Sequence, residues 1–412
     1  MLKAVILTSG ARVYSVAVSM IALILTARWL GPQGRGEAVV LITWVNLFSS
    51  VGYLSLGQVC IHRAGQDNDL DWLGEAVASL LVMTIVATAI GWIVAAAMWA
   101  LSSGAVLGTT DAWLLATAFA GLPFLIWEQY NSALLTLIGR LGIYNINQLV
   151  ARSATLLLLA LLILGLGWGV QGFLVATLAG QIIVAAAGAR VLAGRVGWGT
   201  RTSFAAVARM VVTGSKLHLN AIGVLLFSSA DILMIQYIRG PAEAGIFQFA
   251  NQIFLALLIV PQAAVLVLNG KVASLNPALL WREHKRMIGL VMALITPAAI
   301  GVAAVAGWIV PLIATEAFAQ SVPILRIFCL GAIAATLNTM MGLQWIVQGR
   351  FLNAALLTLA TGVGNCILNL VLIPRYGATG AAWATVIGIY LIPFTVNLLL
   401  LRATNKRWST AA

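Results

Sequence analysis

The chain has 412 residues, of which 62% are hydrophobic and only 8% are charged, and its mean hydropathy is +1.03. Soluble domains carry about 25% charged residues, so this composition excludes a soluble domain and indicates an integral membrane protein. The formal net charge of +12 would suggest a nucleic-acid partner for a soluble protein. Here it is better explained by the basic residues that polytopic proteins concentrate on their cytoplasmic side, and we expect no nucleic-acid partner.

Apolar segments of about 20 residues, long enough to cross a bilayer, recur along the whole chain. The first is expected to be retained rather than cleaved as a signal peptide, because Arg12 interrupts it and no small-residue cleavage site follows. The predicted spans are 9–29, 37–58, 76–101, 112–136, 145–165, 169–190, 217–238, 244–268, 286–310, 322–347, 351–373 and 378–401. They predict an all-α polytopic membrane protein with about 12 transmembrane helices in two six-helix lobes, 1–200 and 201–412.

The charged linker between the two sets of spans contains a stretch, Phe204–Val212, that is predicted to form a short amphipathic helix at the inner surface.

Prolines inside the spans predict kinks. Proline removes a backbone donor and kinks a helix. Kinks are therefore predicted inside four spans, at Pro123, Pro261, Pro297 and Pro393.

The segment Leu368–Thr385 predicts a tight hairpin between the last two spans. Pro374 is expected to stop the first helix, and Gly377 and Gly380 are expected to make the turn. Arg375 and Tyr376 are placed at a membrane interface, where amphipathic side chains are favoured. The small residues that follow allow close helix packing in lipid.

An internal duplication is indicated by three pairs of motifs in the same order. Subtraction of residue numbers gives offsets of 208 (Gly172 to Gly380), 209 (Gly31-Pro32 to Gly240-Pro241) and 210 (Gly139-Arg140 to Gly349-Arg350). A period near half the chain indicates a repeat. Since each half has an even number of predicted spans, the two lobes are expected to be related by a parallel repeat about an axis along the membrane normal.

The distribution of basic residues predicts that both termini are cytoplasmic. With that orientation, only five of the 23 Lys and Arg residues fall at the outer side: Arg28, Arg35, Arg239, Arg326 and Arg375. An excess of basic residues on the inner side is the expected pattern.

These motifs together resemble one family. Ala27 to Gly36 closes the first span, Asp231 precedes Gly240-Pro241 and Gly245-Ile-Phe-Gln-Phe-Ala250, and Gly349-Arg350 and the hairpin complete the set. The chain resembles the polysaccharide-biosynthesis (O-antigen flippase) branch of the multidrug/oligosaccharidyl-lipid/polysaccharide (MOP) exporter superfamily. The resemblance implies a MATE-like fold with a central cavity in a bacterial cytoplasmic (inner) membrane. It also implies an undecaprenyl-diphosphate-linked oligosaccharide as substrate, with membrane lipids, a polysaccharide polymerase and other assembly proteins as partners.

Ionisable residues inside the spans are the candidates for substrate binding, because each costs about 2.5–3.5 kcal/mol at mid-bilayer unless it faces water or a partner. For the arginines and Lys216, the alternative to substrate binding is a side chain that extends from a helix end to the membrane interface. His218 is either a proton relay or, more commonly for such a residue, a polar residue at a helix start. For Glu128 the alternative is a structural ion pair, and for Asp231 a hydrogen bond or ion pair between the lobes. The candidates are Arg12, Arg152, Glu128, Lys216, Asp231 and Arg326.

Three functions compete at this point. A lipid-linked glycan flippase is favoured over a cation-coupled multidrug antiporter of the same superfamily, because basic candidates outnumber acidic ones and arginine suits a diphosphate. A membrane enzyme would need a large outer loop with catalytic groups, so we expect a transporter. No cofactor or metal site is predicted, since the acidic run at 67–71 is explained by the adjacent helix N-terminus. The sequence leaves open whether protons or sodium ions drive transport.

Overall fold

The computed structural model of the chain describes residues 2–66, 69–196, 201–269, 272 and 276–409. Side chains are described for these residues except 2–13, 217, 219–220, 222, 226–227, 277 and 407–409. The described secondary structure is helical. The α-helices are α1 (Leu2–Gly52), α2 (Leu56–Ala64), α3 (Leu73–Ser102), α4 (Ala112–Phe119), α5 (Leu122–Leu137), α6 (Leu141–Ala160), α7 (Gly169–Val196), α8 (Phe204–Leu217), α9 (Leu219–Arg239), α10 (Pro241–Leu257), α11 (Ile259–Asn269), α12 (Pro277–Ile313), α13 (Ser321–Leu330), α14 (Ala332–Val347), α15 (Phe351–Ala384) and α16 (Ile392–Ser409). Two π-helical segments, Leu161–Gly165 and Thr385–Leu391, and a short 3₁₀ helix at Glu316–Phe318 complete the fold.

Several of these helices are long and apolar enough to cross a membrane. Six described segments qualify alone, and two bent pairs bring the number to eight. The chain is therefore a multi-pass membrane protein, and the total of twelve spans stays a prediction. The segments are Tyr14–Gly52, Leu73–Ser102, Leu141–Gly165, Gly169–Val196, Ala278–Ile313 and Phe351–Lys406; the pairs are α10 with α11 (bent by 43°) and α13 with α14 (bent by 52°).

The chain forms two compact units. Unit 1 comprises Met1–Arg12, Gly31–Gly36 and Leu226–Ala412, and unit 2 comprises Val13–Leu30 and Glu37–Leu225. In unit 2, helix α5 packs against α2, α3 and α7, and its Tyr130 is fully buried. In unit 1, Phe328 is in aromatic contact with Phe247 and Phe254, at centroid distances of 5.5 and 5.4 Å. The division at residue 200 and the parallel relation of the lobes stay predictions.

The backbone repeats where the sequence repeats. Gly31 and Gly240 both have positive φ (63° and 93°) and both precede a proline. Gly139-Arg140 and Gly349-Arg350 both close a helix in a Schellman motif. The Arg140 N–H donates to the Leu135 carbonyl at 2.7 Å, and the Arg350 N–H donates to the Trp345 carbonyl at 2.9 Å. These two pairs of motifs therefore adopt the same local conformations.

The two Gly-Pro motifs also meet within unit 1. A Cβ atom added at Gly36 would overlap the carbonyl oxygen of Pro241, and one added at Gly245 would overlap the carbonyl oxygen of Pro32. Beside this reciprocal contact, the buried guanidinium of Arg35 donates to the Oε1 atoms of Gln248 and Gln252, at 2.6 and 2.7 Å. Gly36 and Gly245 thus allow the two backbones to approach closely, as small residues do where helices pack in lipid. We call the contact between residues 31–36 and residues 240–252 the Gly-Pro crossing.

The hairpin prediction was wrong in two details. Helix α15 continues through Pro374 and is interrupted only at Gly377 (φ 58°), because a proline removes one intrahelical hydrogen bond, which kinks a helix without necessarily ending it. Gly380 is not a turn residue; it lies in the helix, where a Cβ atom would overlap the Leu372 carbonyl. Arg375 and Tyr376 are exposed, and their location at a membrane interface stays a prediction.

The proline kinks are confirmed at some positions and not at others. Helix α4 ends at Phe119 and helix α10 ends at Leu257, each four residues before a proline (Pro123 and Pro261). A proline ring clashes with the carbonyl of the residue four positions before it, so the helices end where this clash is expected. Pro393 follows the π-helical segment 385–391. Helix α12 continues through Pro297 without a break, and the kink at that position stays a prediction. The linker helix is confirmed and extends to Leu217.

Two side chains of opposite charge bind the two sides of the hairpin break at Gly377. Arg239 donates to the Pro374 carbonyl at 2.9 Å, and Glu243 accepts from the Ala378 N–H at 2.8 Å. A cation thus lies at a helix C-terminus and an anion at a helix N-terminus, which is the favourable arrangement at both ends.

Replacing Glu243 with Ala is expected to destabilise unit 1 by about 1–2 kcal/mol, the usual cost of losing a helix cap. The effect should appear as a lowered thermal transition of the purified protein. Glu316, exposed in the short 3₁₀ helix, provides the matched control, because Glu316→Ala removes the same charge without removing a cap. Equal transitions for the two variants would contradict this role of Glu243.

Candidate functional site

Asp231 on α9 lies at the centre of a buried polar cluster in unit 1. Its carboxylate accepts hydrogen bonds from Asn369 Nδ2 at 2.5 Å and from Thr385 Oγ1 at 2.6 Å. Asn369 also donates to Asn365 Oδ1 at 3.1 Å. Asp231 is 7% exposed, and Asn365 and Asn369 are fully buried. We call these four residues the Asp231 cluster.

The local structure explains how the four side chains meet. Asn365 and Asn369 are four residues apart on α15, so they share one face of that helix. Thr385 begins the π-helical segment, and π-helical turns often occur at functional sites. Gly388 brings this segment against α15, since a Cβ atom there would lie 3.1 Å from the Asn365 Cα.

Two polar atoms of the cluster have no hydrogen-bond partner among the described residues. They are Asn365 Nδ2 and Asn369 Oδ1, both buried. A buried polar atom without a partner costs about 1–3 kcal/mol, and a buried charge without an opposite charge costs more. The described hydrogen-bond partners of Asp231 are neutral. The cluster therefore offers carboxylate, amide and hydroxyl oxygens, the ligand types that hard cations prefer, and binding a proton or a cation would remove the buried charge.

Glu128 on α5 forms a second polar group, in unit 2. Its Oε1 accepts from Gln148 Nε2 at 2.5 Å and from Tyr144 OH at 3.3 Å, and Gln148 also donates to Tyr144 OH at 2.9 Å. Arg152, one turn beyond Gln148 on α6, acts on Glu128 electrostatically. Glu128 is thus held by neutral partners, with an arginine nearby.

The other predicted site residues have different surroundings. Arg152 is exposed, and so is Lys216, which lies in the last turn of α8 rather than in a spanning helix. Arg326 is exposed and donates through Nε to the Ala303 carbonyl at 3.1 Å. His218 contacts Ser55 at 3.0 Å. The side chain of Arg12 lies outside the described residues.

Sequence reasoning found Asp231 but missed Asn365, Asn369 and Thr385. These three carry no charge, so a search for ionisable residues passes over them. Two asparagines four residues apart in an apolar span would have been a usable signal, because amides are costly in lipid without partners. In the part of the chain that the structure describes, no group of three His, Cys, Asp or Glu side chains could hold a metal ion. Asp67 and Asn68 of the acidic run lie outside the described residues.

The fold is similar to the folds of several solved membrane transporters. No protein-family model and no curated protein matches the chain. Among solved structures, the lipid II flippase MurJ in an inward closed conformation is similar with a TM-score of 0.78 and 12% identity, over 96% of this chain and 87% of that one. An inward-facing multidrug resistance MATE family transporter of the MOP superfamily follows with 0.73 and 14%, over 94% and 96%.

A third structure, that of the MATE multidrug transporter DinF-BH, is similar with a TM-score of 0.65 and 16% identity, over 99% of this chain and 96% of that one. At sequence identities this low, the comparisons show similarity of fold only. These structural neighbours are transporters, not enzymes.

Proposed function

We propose that the chain is an ion-coupled exporter that translocates an undecaprenyl-diphosphate-linked oligosaccharide across the bacterial cytoplasmic membrane, for the synthesis of a surface polysaccharide. Alternating access of the substrate site to the two sides of the membrane is the proposed mechanism. The full-length similarity to a lipid II flippase supports a lipid-linked cargo. The sequence motifs around Gly31-Pro32 and Leu368–Thr385 support the polysaccharide branch.

The Asp231 cluster is the observation that carries the ion coupling. The single hydroxyl proton of Thr385 has two acceptors, the Asp231 carboxylate at 2.6 Å and the Ala381 carbonyl at 2.9 Å. When Asp231 is ionised, Thr385 donates to it; when Asp231 is protonated, its own O–H donates to Thr385, which then donates to Ala381. Proton or cation binding therefore changes the hydrogen bonds between α9 and the start of the π-helical segment.

Such a change couples ion binding to conformation. A ligand shifts an equilibrium only through its different affinities for the two states. Neutralising a buried carboxylate supplies such a difference. The free-energy cost of burying the charged form depends on how much water each conformational state admits. Protons and sodium ions both satisfy this argument, and the oxygen ligands of the cluster suit either.

For the cargo, we assign the diphosphate to basic residues in the inner half of the first lobe. Arg152 is exposed on α6, and Arg12 is predicted at a similar depth on α1. A phosphate charge about 4 Å from an arginine gains roughly 4 kcal/mol at an effective dielectric of 20, before desolvation is subtracted. This gain offsets the cost of holding an arginine within the membrane.

Charge reversal at Arg152 tests the cargo site. Arg152→Glu and Arg12→Glu are expected to abolish glycan export at normal protein abundance, and Arg152→Lys to retain part of it, because lysine keeps the charge but not the forked geometry. Export is measured as surface glycan per inserted protein. Arg402→Glu, at an exposed residue near the end of α16, is the control and should export normally. Full export by both Glu variants at the candidate positions would overturn the cationic site.

A cation-coupled multidrug antiporter is the second candidate. It is favoured by the similarity to MATE multidrug transporters and by two carboxylates, Glu128 and Asp231, whose described hydrogen-bond partners are neutral. An antiporter for cationic drugs would use such acids for its cargo. It would therefore be impaired by Glu128→Gln and be indifferent to Arg152→Glu.

A further inference from the structure

A cavity of about 300 Å³ lies in unit 2, separate from the polar groups described above. Its walls come from α2, from the start of α3 and from α8. The α8 residues that line it are Ala206, Arg209, Met210 and Thr213, which follow the i, i+3, i+4, i+7 spacing of one helix face. The cavity volume is at the lower end of the range for ligand sites, which suits a small headgroup rather than an oligosaccharide.

Charged groups of both signs line this cavity. Arg63 and Arg209 supply two guanidinium groups, and Glu75 supplies one carboxylate. The guanidinium of Arg63 lies over the Trp72 ring, 4.7 Å from its centroid, and this cation–π contact fixes its position. Ser79 and Thr213 add hydroxyl groups to the walls. The lining thus contains two guanidinium groups suited to a phosphate and one carboxylate suited to an ammonium group.

Exposed apolar side chains on α8 indicate that this wall of the cavity lies at a membrane interface. Helix α8 has large apolar side chains that the protein leaves uncovered: Phe204 is 89% exposed and Val212 is 58% exposed. A helix with one charged face and uncovered apolar side chains lies in a membrane interface, with the apolar groups at the acyl boundary. With α8 in that position, we expect the face that carries Arg209 to lie near the depth of the phospholipid phosphates.

From this arrangement we infer that the cavity binds the phosphoethanolamine headgroup of a membrane phospholipid. Arg63 and Arg209 bind the phosphate, for which guanidinium is well suited, and Glu75 binds the ammonium group. The carboxylate makes the site selective, because phosphatidylglycerol offers it no cation and phosphatidylcholine offers it no N–H donor. The site is independent of the exported cargo.

Native mass spectrometry of the full-length protein, given equal amounts of phosphatidylethanolamine, phosphatidylglycerol and phosphatidylcholine with identical acyl chains, tests the inference. The wild type should retain phosphatidylethanolamine preferentially. Glu75→Gln should reduce that preference by about tenfold, the effect of losing one charge-assisted hydrogen bond. Arg209→Ala should weaken retention of all three lipids. Arg209→Lys replaces it as the test if the Ala variant is not monodisperse, and partial retention is then expected.

Two control variants remove similar charges outside the cavity. Arg201 precedes α8 and Glu316 lies in unit 1, and Arg201→Ala and Glu316→Gln should both bind lipids like the wild type. An unchanged lipid preference in Glu75→Gln, or equal losses in Arg201→Ala and Arg209→Ala, would overturn the site. Free phosphoethanolamine, added to delipidated protein, separates the two sources of the headgroup. Binding of the free compound that depends on Glu75, without any lipid preference, would show that the ligand is soluble and that the lipid assignment is wrong.

Discussion

Replacing Asp231 with Asn is expected to abolish ion-driven transport completely while leaving the protein folded. Asparagine has nearly the same shape and can keep the hydrogen bonds to Asn369 and Thr385, but it neither binds a proton nor carries a charge. The variant thus loses the difference in ion affinity between two states, without which an ion gradient cannot bias the conformational equilibrium. Movement of cargo down its own gradient should persist.

The measurement is uptake or flipping in proteoliposomes, with and without an imposed proton or sodium gradient. Asp111→Asn is the matched control: Asp111 is exposed and caps α4, and asparagine caps a helix as well as aspartate does. This control should respond to the gradient as the wild type does. Asn369→Ala removes a hydrogen-bond donor to Asp231, and Asn365→Ala removes the acceptor that helps to hold Asn369, so both should have intermediate effects. Gradient-driven transport by Asp231→Asn at wild-type rates would remove the cluster from the mechanism.

Replacing Gly36 or Gly245 with Ala is expected to have the largest effect on stability. Each added Cβ atom would overlap a backbone carbonyl of the opposite Gly-Pro motif, and a backbone atom cannot rotate away as a side chain can. Overpacking of this kind costs about 1–3 kcal/mol, and it forces apart the Gly-Pro crossing and the hydrogen bonds of Arg35 beside it. The thermal transition should therefore fall for either variant.

Gly342 provides the matched control for the Gly-Pro crossing. It lies within α14, and a Cβ atom there would meet nothing within 4 Å. Gly342→Ala should therefore leave the thermal transition unchanged or raise it, because alanine favours a helix by about 1 kcal/mol over glycine. Equal transitions for Gly36→Ala and Gly342→Ala would show that the close approach at the Gly-Pro crossing does not contribute to stability.

Backbone conformations that depend on the type of a single residue could be predicted from the sequence. Gly31-Pro32 and Gly240-Pro241 were identified as equivalent, and both glycines have positive φ. Gly377 was identified as a turn residue, and it too has positive φ. The reason is physical: a left-handed backbone favours glycine, so the residue type itself reports the conformation.

Features that depend on tertiary contacts could not be predicted. Pro374 was expected to end its helix, yet α15 continues to Gly377, where Arg239 donates to the carbonyls of Ile373 and Pro374 just before the break. The bend between α13 and α14 occurs at Gly331, without a proline in the break. The partners of Asp231 come from residues 138 and 154 positions away. Hydropathy and spacing describe one segment at a time and contain no information on such pairs.

We propose that an ion gradient drives a lipid-linked glycan across the membrane through this chain. The most direct measurement is a reconstituted assay in which a fluorescent undecaprenyl-diphosphate oligosaccharide becomes accessible to a membrane-impermeant quencher. A cationic dye should be followed in parallel vesicles. We predict that a gradient accelerates glycan translocation by the wild type, that Asp231→Asn removes the acceleration, that Arg152→Glu stops translocation, and that the dye is not moved. Gradient-driven movement of the dye without any movement of the glycan would show that the chain is a multidrug antiporter and not a glycan exporter.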